Sequence, residues 1–159
     1  MAAPSRGAEL ALLLLSGFHS MTDEVIAELA RRGHPDVRPV HEFALRAIDT
    51  GADTASELGR RLAVTKQAAA KTIAALQRLG YVEVAPDPGD GRRRRIRVTT
   101  HGRDMVAIGN TLFDEVRDRW AGQIGADKLD VLQTQLQQLV RPRPLLADDL
   151  ARDVATGDR

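Results

Sequence analysis

Apolar residues recur at three- and four-residue steps through most of the chain, which is the period of an α-helix packed along one side. The first such stretch runs from about Arg6 to Arg32, and Gly33 and Pro35 follow it as helix-stopping residues. The apolar run LALLLL at residues 10–15 widens its hydrophobic side. That width exceeds what one packing partner needs, so the sequence predicts that a second chain covers this helix.

Shorter helices follow. Pro39 opens one of them, and Thr54, with a glutamate three residues later, has the capping-box pattern that predicts a helix over Ala55–Leu62. Thr65 is placed to cap the next helix, which Gly80 ends. Two helices joined by a turn of a few residues are typical of a helix-turn-helix.

The period then changes to two. Tyr81, Val82 and Val84 predict a strand, DPGDG at residues 87–91 predicts a turn, and residues 95–98 alternate polar and apolar as a second strand. Thr99 or Thr100 caps a long predicted helix that reaches about Ile124, and a last helix covers residues 128–140. The predicted fold is mainly α with a small β-hairpin wing.

Charge is segregated along the chain. Residues 54–103 hold eleven Lys and Arg against four Asp and Glu, a net charge of +7, and the remainder holds twelve against eighteen, a net charge of −6. Four of the cations are the consecutive arginines 92–95 in the hairpin. A helix beside such a hairpin suits double-stranded DNA, with the helix in the major groove and the arginines on the backbone or minor groove. The candidate DNA-binding residues are Thr54, Ser56, Thr65, Lys66, Gln67, Ala70, Lys71, Arg92, Arg93, Arg94 and Arg95.

Two segments carry a family resemblance. The wing DPGDGRRRRIRVTTHG and the preceding LAVTKQAAAKTIAALQRLGYVE together resemble the MarR (multiple antibiotic resistance regulator) family of winged helix-turn-helix transcription factors. In the wing, Asp90, Arg92, Thr99 and Gly102 match the family's pattern, which implies that Asp90 and Arg92 shape the tip. The chain departs from the family at Arg93–Arg95, where the tip is more basic, and at the alanines 68–70, which offer few base-reading side chains.

The resemblance spans about Leu10 to Val140 and implies a homodimeric, ligand-responsive regulator that acts as a repressor on a pseudo-palindromic operator. The domains would be an N-terminal dimerisation helix at 6–34, the DNA-binding domain at 38–102, C-terminal dimerisation helices at 103–140 and a tail at 141–159. The expected dimer contacts are Leu10, Leu13, Leu14, Leu129, Leu132, Leu136 and Leu139.

In the resembling family, small aromatic or anionic effectors bind between the DNA-binding module and the dimer helices. The corresponding residues here would be Phe18, His19, Met21, Arg38, His41 and Trp120. Arg38 and His41 would give the pocket a cationic or hydrogen-bonding end, and ordinary packing or surface roles for all six are the alternative.

Other classes of function have little support in the sequence. The chain has no cysteine, and its four histidines lack the i, i+4 spacing of a helical metal site, so no metal or other cofactor is expected. No catalytic or nucleotide-binding motif is present, so we do not expect an enzyme. The LALLLL run is too short to span a bilayer, which favours a cytoplasmic protein without membrane contact. Two alternatives stay open: a low-specificity, chromosome-coating DNA-binding protein, and a winged helix that binds another protein.

Overall fold

In the computed structural model, residues 5–140 are described, and they form six helices and one hairpin. The predicted tail at 141–159 lies outside the described residues. The elements in chain order are α1 (Arg6–Arg31), α2 (Pro39–Asp49), α3 (Ala55–Leu62), α4 (Lys66–Arg78), β1 (Val82–Asp87), β2 (Asp90–Val98), α5 (Thr100–Ile124) and α6 (Ala126–Leu139).

Hydroxyl side chains begin four of the helices. Ser5, Thr54, Thr65 and Thr99 each accept a hydrogen bond from the backbone N–H three residues later, at 3.1 or 3.2 Å. These contacts satisfy N–H groups that have no partner inside the helix. The predicted caps at Thr54, Thr65 and Thr99 are therefore confirmed.

The reciprocal half of the predicted capping box is not seen at α3. The Glu57 carboxylate, which was expected to reach back to its cap, binds the guanidinium groups of Arg60 and Arg61 at 2.6 and 3.1 Å. These two hydrogen bonds lower the pKa of Glu57 to about 2. Guanidinium groups three and four residues away on the same face of the helix outcompete a single backbone N–H.

The hairpin is antiparallel and pairs Val82 with Val98 and Val84 with Ile96. Ile96 and Val98 are buried, whereas the six residues before them on β2 are exposed. The second strand begins at Asp90, five residues earlier than the alternation predicted. All four consecutive arginines therefore lie on an ordered strand and not in the turn.

One core joins the second half of α1 to α2, α3, α4, the hairpin and α5. Leu29, Leu45, Leu58, Leu76 and Met105 are completely buried in it. Gly102 sits where α5 leaves the hairpin, and a Cβ there would overlap the Tyr81 carbonyl and lie 2.7 Å from Val98 Cγ1. The close approach of α5 to the start of β1 thus requires glycine at this position.

The leucines at the start of α1 and several apolar residues of α6 are exposed. Leu10 and Leu12–Leu15 are 45–64% exposed, and Leu139 is 80% exposed. The six-residue apolar run belongs to a 26-residue helix, and an 18-residue window of that helix has a mean hydropathy of 1.3. By length and composition alone, α1 could cross a membrane, although the same test is met by other kinds of helix.

Candidate nucleic-acid interface and adjoining cavity

The turn between α3 and α4 is tight and fixes the direction of α4. Ala63 adopts the left-handed conformation at φ 55°, and the N–H of Val64 donates to the carbonyl of Gly59 at 2.9 Å. A Cβ at Gly59 would lie only 3.0 Å from the Val64 carbonyl oxygen. This arrangement holds the two helices of the helix-turn-helix at close range.

One side of α4 is buried and the other is open. Ala69, Ile73 and Leu76 face the core. Exposed on the opposite side are the predicted DNA-facing residues Lys66, Gln67, Ala70 and Lys71. Of the three hydroxyl residues in the predicted set, Thr54 and Thr65 cap α3 and α4 through their side chains, and Ser56 is exposed. Lys66, Gln67, Ala70 and Lys71 are thus all available to solvent on α4.

The wing arginines divide into two groups. Arg95 forms ion pairs with Asp87 at 2.6 Å and with Asp53 at 2.8 Å, which tie the hairpin to the loop before α3. The Gly89 N–H and then Arg95 hold the pKa of Asp87 below its usual value, and Asp87 in turn raises the pKa of Arg95. The side chains of Arg92, Arg93 and Arg94 are exposed and form no ion pair among residues 5–140.

Asp90 and Arg92 meet through the backbone. The N–H of Arg92 donates to the Asp90 carboxylate at 3.1 Å, and no ion pair joins the two side chains among residues 5–140. The Arg92 side chain therefore adds to the positive charge at the tip.

Two of the four histidines form an aromatic stack with the only tyrosine. The rings of His34 and His101 are 4.7 Å apart, those of His101 and Tyr81 are also 4.7 Å apart, and His34 Nδ1 lies 3.1 Å from the Tyr81 hydroxyl. Burial, followed by the nearby His101, lowers the pKa of His34, and Asp104 acts in the opposite direction. Sequence reasoning missed this cluster, which joins the end of α1 to the starts of β1 and α5.

A cavity of about 620 Å³ lies between α1, α2, α5 and α6. Two residues of the predicted ligand set, Phe18 and Met21, line this cavity. The other four, His19, Arg38, His41 and Trp120, do not. His41 is buried, and its Nδ1 accepts a hydrogen bond from the Arg38 N–H at 3.2 Å. The remaining lining residues are Thr22, Glu42, Phe43, Arg46, Asn110, Phe113, Asp114 and Gln133.

A buried ion pair forms the polar end of this cavity. Glu42 is only 3% exposed, and its Oε1 lies 2.6 Å from Arg46 Nε. The Arg46 guanidinium also donates to Asn110 on α5 and so bridges the DNA-binding module to the long helix. Sequence reasoning missed these residues, although the spacing of Glu42 and Arg46, one helical turn apart, is that of an ion pair.

A comparison with protein families finds a match to part of the chain. The MarR family matches residues 36–93, which include the helix-turn-helix and the tip of the wing. The resemblance to the MarR family is confirmed. A comparison with curated protein sequences gives no match.

Solved structures extend the likeness from this MarR segment to most of the chain. The reduced form of MarR from E. coli is 21% identical with a TM-score of 0.69, covering 89% of this chain and 99% of that one. CouR from Rhodococcus jostii, bound to p-coumaroyl-CoA, is 18% identical with a TM-score of 0.64, covering 88% and 97%. A MepR mutant from S. aureus, bound to an oligodeoxyribonucleotide, is 19% identical with a TM-score of 0.57, covering 82% and 94%. At sequence identities this low, the structural likeness establishes the fold alone. It confirms the predicted winged helix-turn-helix.

Proposed function

We propose that this protein is a homodimeric DNA-binding transcriptional regulator that represses its target and releases DNA when it binds a small ligand. The observation that carries the proposal is the pairing of an open α4 face with a wing whose arginines 92–94 have no ion-pair partner in the described chain. A concentration of unpaired positive charge beside a groove-sized helix is what a phosphate backbone attracts.

The two parts of the surface have different tasks. Lys66, Gln67 and Lys71 on α4 enter the major groove, where an amide and two ammonium groups reach base edges or phosphates. Arg93 and Arg94 contact the backbone or a narrow minor groove. Arg95 braces the wing, because its guanidinium is already held by two carboxylates. Thr54, Ser56 and Thr65 lie at helix starts, where they touch phosphate and carry little sequence information.

The dimer uses the apolar surfaces that the chain leaves uncovered. Leu10, Leu13 and Leu14 on α1 are 45–64% exposed, and Leu132 and Leu139 on α6 are 42% and 80% exposed. Monomeric soluble proteins rarely expose so much contiguous apolar surface. A second copy that covers both helices would keep the protein soluble in the cytoplasm and place two α4 helices about one DNA turn apart, roughly 34 Å.

The ligand response belongs to the cavity between α1, α2, α5 and α6. Its volume of about 620 Å³ is in the range of small-molecule sites. Arg46 on α2 lines the cavity and donates to Asn110 on α5, so the lining includes a contact between the helix-turn-helix side and the long helix. CouR, which shares the fold, is bound to an aromatic CoA ester in its solved structure. Ligand binding would change the spacing of the two α4 helices, and we assign the protein no catalytic activity.

A second candidate function is low-specificity coating of the chromosome. It is favoured by Ala68 and Ala70, two exposed alanines that leave α4 with few side chains that can read bases. In that case affinity would come almost entirely from phosphate contacts by the wing.

A gel-shift experiment separates these functions. The probe is the DNA upstream of the protein's own gene, and unrelated DNA is the competitor. A specific regulator gives a discrete shifted band that excess competitor leaves intact. A coating protein gives a band that competitor removes in proportion to its mass, and a winged helix that binds another protein gives none.

A further inference from the structure

The cavity between α1, α2, α5 and α6 has an unusual composition. The whole chain contains three phenylalanines, and all of them, Phe18, Phe43 and Phe113, line this one cavity. They come from three different helices, and Met21 adds a thioether beside them. Three aromatic rings around one space form a site for a flat, polarisable ligand.

The ionisable groups at the cavity carry a net negative charge. Glu42 and Asp114 contribute two carboxylates, and Arg46 contributes the only guanidinium of the lining. Arg46 is already engaged, because it binds Glu42 at 2.6 Å and also donates to Asn110. Asp114 is exposed and has no ion-pair partner among residues 5–140.

We infer that this cavity binds a planar aromatic cation. The inference rests on the proposed ligand response, and of the aromatic or anionic effectors expected from the sequence it keeps the aromatic frame and assigns it a positive charge. A cation bound over the face of a phenylalanine ring is attracted by it, and the exposed Asp114 adds a carboxylate to the lining. An anion would meet two carboxylates in the lining, and Arg46 could bind it only by giving up contacts that it already makes with Glu42 and Asn110, which is costly.

The matched probes are 9-aminoacridine, which is a cation at pH 7, and acridine-9-carboxylate, which has the same three-ring frame and the opposite charge. Each is titrated into the full-length protein by calorimetry, without DNA. We expect the cation to bind at least about tenfold more tightly than the anion, as expected when cation–π contacts add to ring stacking. Equal affinities, tighter binding of the anion, or no binding of either because a second copy fills the cavity would overturn the inference.

A pair of variants locates the site. Asp114→Asn removes the rim carboxylate and should weaken binding of the cation about two- to fivefold, the effect of one partly solvated charge, while leaving the anion unaffected or slightly tighter. Asp118→Asn removes a carboxylate one helical turn further along α5, outside the cavity lining and 79% exposed. It is the matched control and should change neither affinity. Equal effects from both variants would contradict the assignment.

The outcome is independent of DNA binding. Specific DNA binding in the gel shift together with no preference for the cation would overturn this inference and leave the regulator intact. A preference for the cation that Asp114→Asn reduces, together with no DNA binding, would support the site and overturn the proposed function.

Discussion

Four neighbouring arginines in this protein differ in what surrounds them. Arg95 has two carboxylates within 2.8 Å, so its charge is largely neutralised, whereas the side chains of Arg92, Arg93 and Arg94 have no ion pair in the described chain. Only a charge without an internal partner gains fully from a phosphate, because a paired one must first give up its carboxylate. Position in the run therefore says less about function than the partner of each side chain.

The first prediction concerns these arginines. Replacing both Arg93 and Arg94 with Ala should weaken binding to specific and unrelated DNA alike and flatten the plot of log K against log salt by about one to two units. The measurement is fluorescence anisotropy of a labelled duplex at several salt concentrations. The control is Arg31→Ala/Arg32→Ala, an adjacent pair at the C-terminal end of α1, which should leave the slope unchanged. Arg95→Ala should change the slope less than the double variant does. An unchanged slope in the double variant would refute the wing assignment.

A second prediction concerns the pH dependence of stability. Burial lowers the pKa of His34 and of His41 below the ordinary histidine value of 6.5, so the unfolded chain takes up their protons first as pH falls. The contribution of these two histidines to the free energy of unfolding should therefore be complete above pH 6.5, and the free energy of unfolding should decline below that pH. Urea unfolding at pH 7.5 and pH 5.5 measures this in a window above the titration of the carboxylates.

The variants assign the effect to its source. His34→Gln should remove part of the decline, because one of the two buried bases is gone. His19→Gln changes an exposed histidine on α1 and should remove none of it. Stability that stays constant or rises between pH 7.5 and pH 5.5 in the wild-type protein would contradict the burial of these imidazoles as the cause.

At the scale of elements, the helix boundaries could be read from the sequence because their causes are local. Thr54 and Thr65 cap helices within three residues of themselves, and Gly80 ends α4 with φ 77°, a conformation that glycine adopts without strain. The length of β2 was underestimated, because backbone pairing with β1 and not side-chain alternation decides it. The cluster of His34, Tyr81 and His101 depends on contacts between residues 20 to 67 positions apart, which no local pattern encodes.

Part of the candidate site could also be predicted from local patterns. The exposed face of α4 follows from helical period alone. Phe18 and Met21 of the predicted ligand set line the cavity, whereas Arg38 and His41, which were expected to give its polar end, do not, and Glu42 and Arg46 do. Period locates a residue on a face of α2 but does not say which helix covers that face.

A third prediction tests the junction between the hairpin and α5. Gly102→Ala places a methyl group against the Tyr81 carbonyl and Val98, so the chain must shift, and we expect a loss of about 1–3 kcal/mol in the free energy of unfolding. Gly122→Ala on the same helix meets no atom within 4 Å and should be neutral or stabilising by up to about 1 kcal/mol. Denaturant unfolding of both variants measures the two changes in free energy. Equal effects would show that the close approach of α5 to Tyr81 does not require glycine at position 102.

At the scale of the whole molecule, the chain divides into a packed half and an uncovered half. The core joins the second half of α1 to α2–α5 and the hairpin, while the leucines at the start of α1 and the apolar residues Val131, Leu132 and Leu139 on α6 remain exposed. The charge has a similar division, with +7 over residues 54–103 and −6 elsewhere. Both divisions fit a dimer in which acidic, apolar-faced helices associate and two basic modules face DNA.

A fourth prediction follows for assembly. Light scattering at micromolar concentration should give twice the 17.3 kDa mass of one chain. Leu13→Glu places a charge on the uncovered face of α1, where Leu13 is 64% exposed, and should shift the protein toward monomer. Val40→Glu introduces the same charge at a 39% exposed position on α2 and should leave the mass unchanged. A monomeric wild-type protein would rule out the proposed dimer.

The most direct test of the regulator is a titration of the protein into a duplex from its own upstream region. At a DNA concentration far above the dissociation constant, the titration gives the number of chains per duplex. At low DNA concentration, it gives the affinities for the upstream duplex and for unrelated DNA. We predict saturation at two chains per duplex and binding of the upstream duplex at least about 10³-fold tighter than binding of unrelated DNA at the same salt concentration. Saturation at one chain per duplex, or equal affinity for both duplexes, would contradict a dimeric, operator-specific regulator.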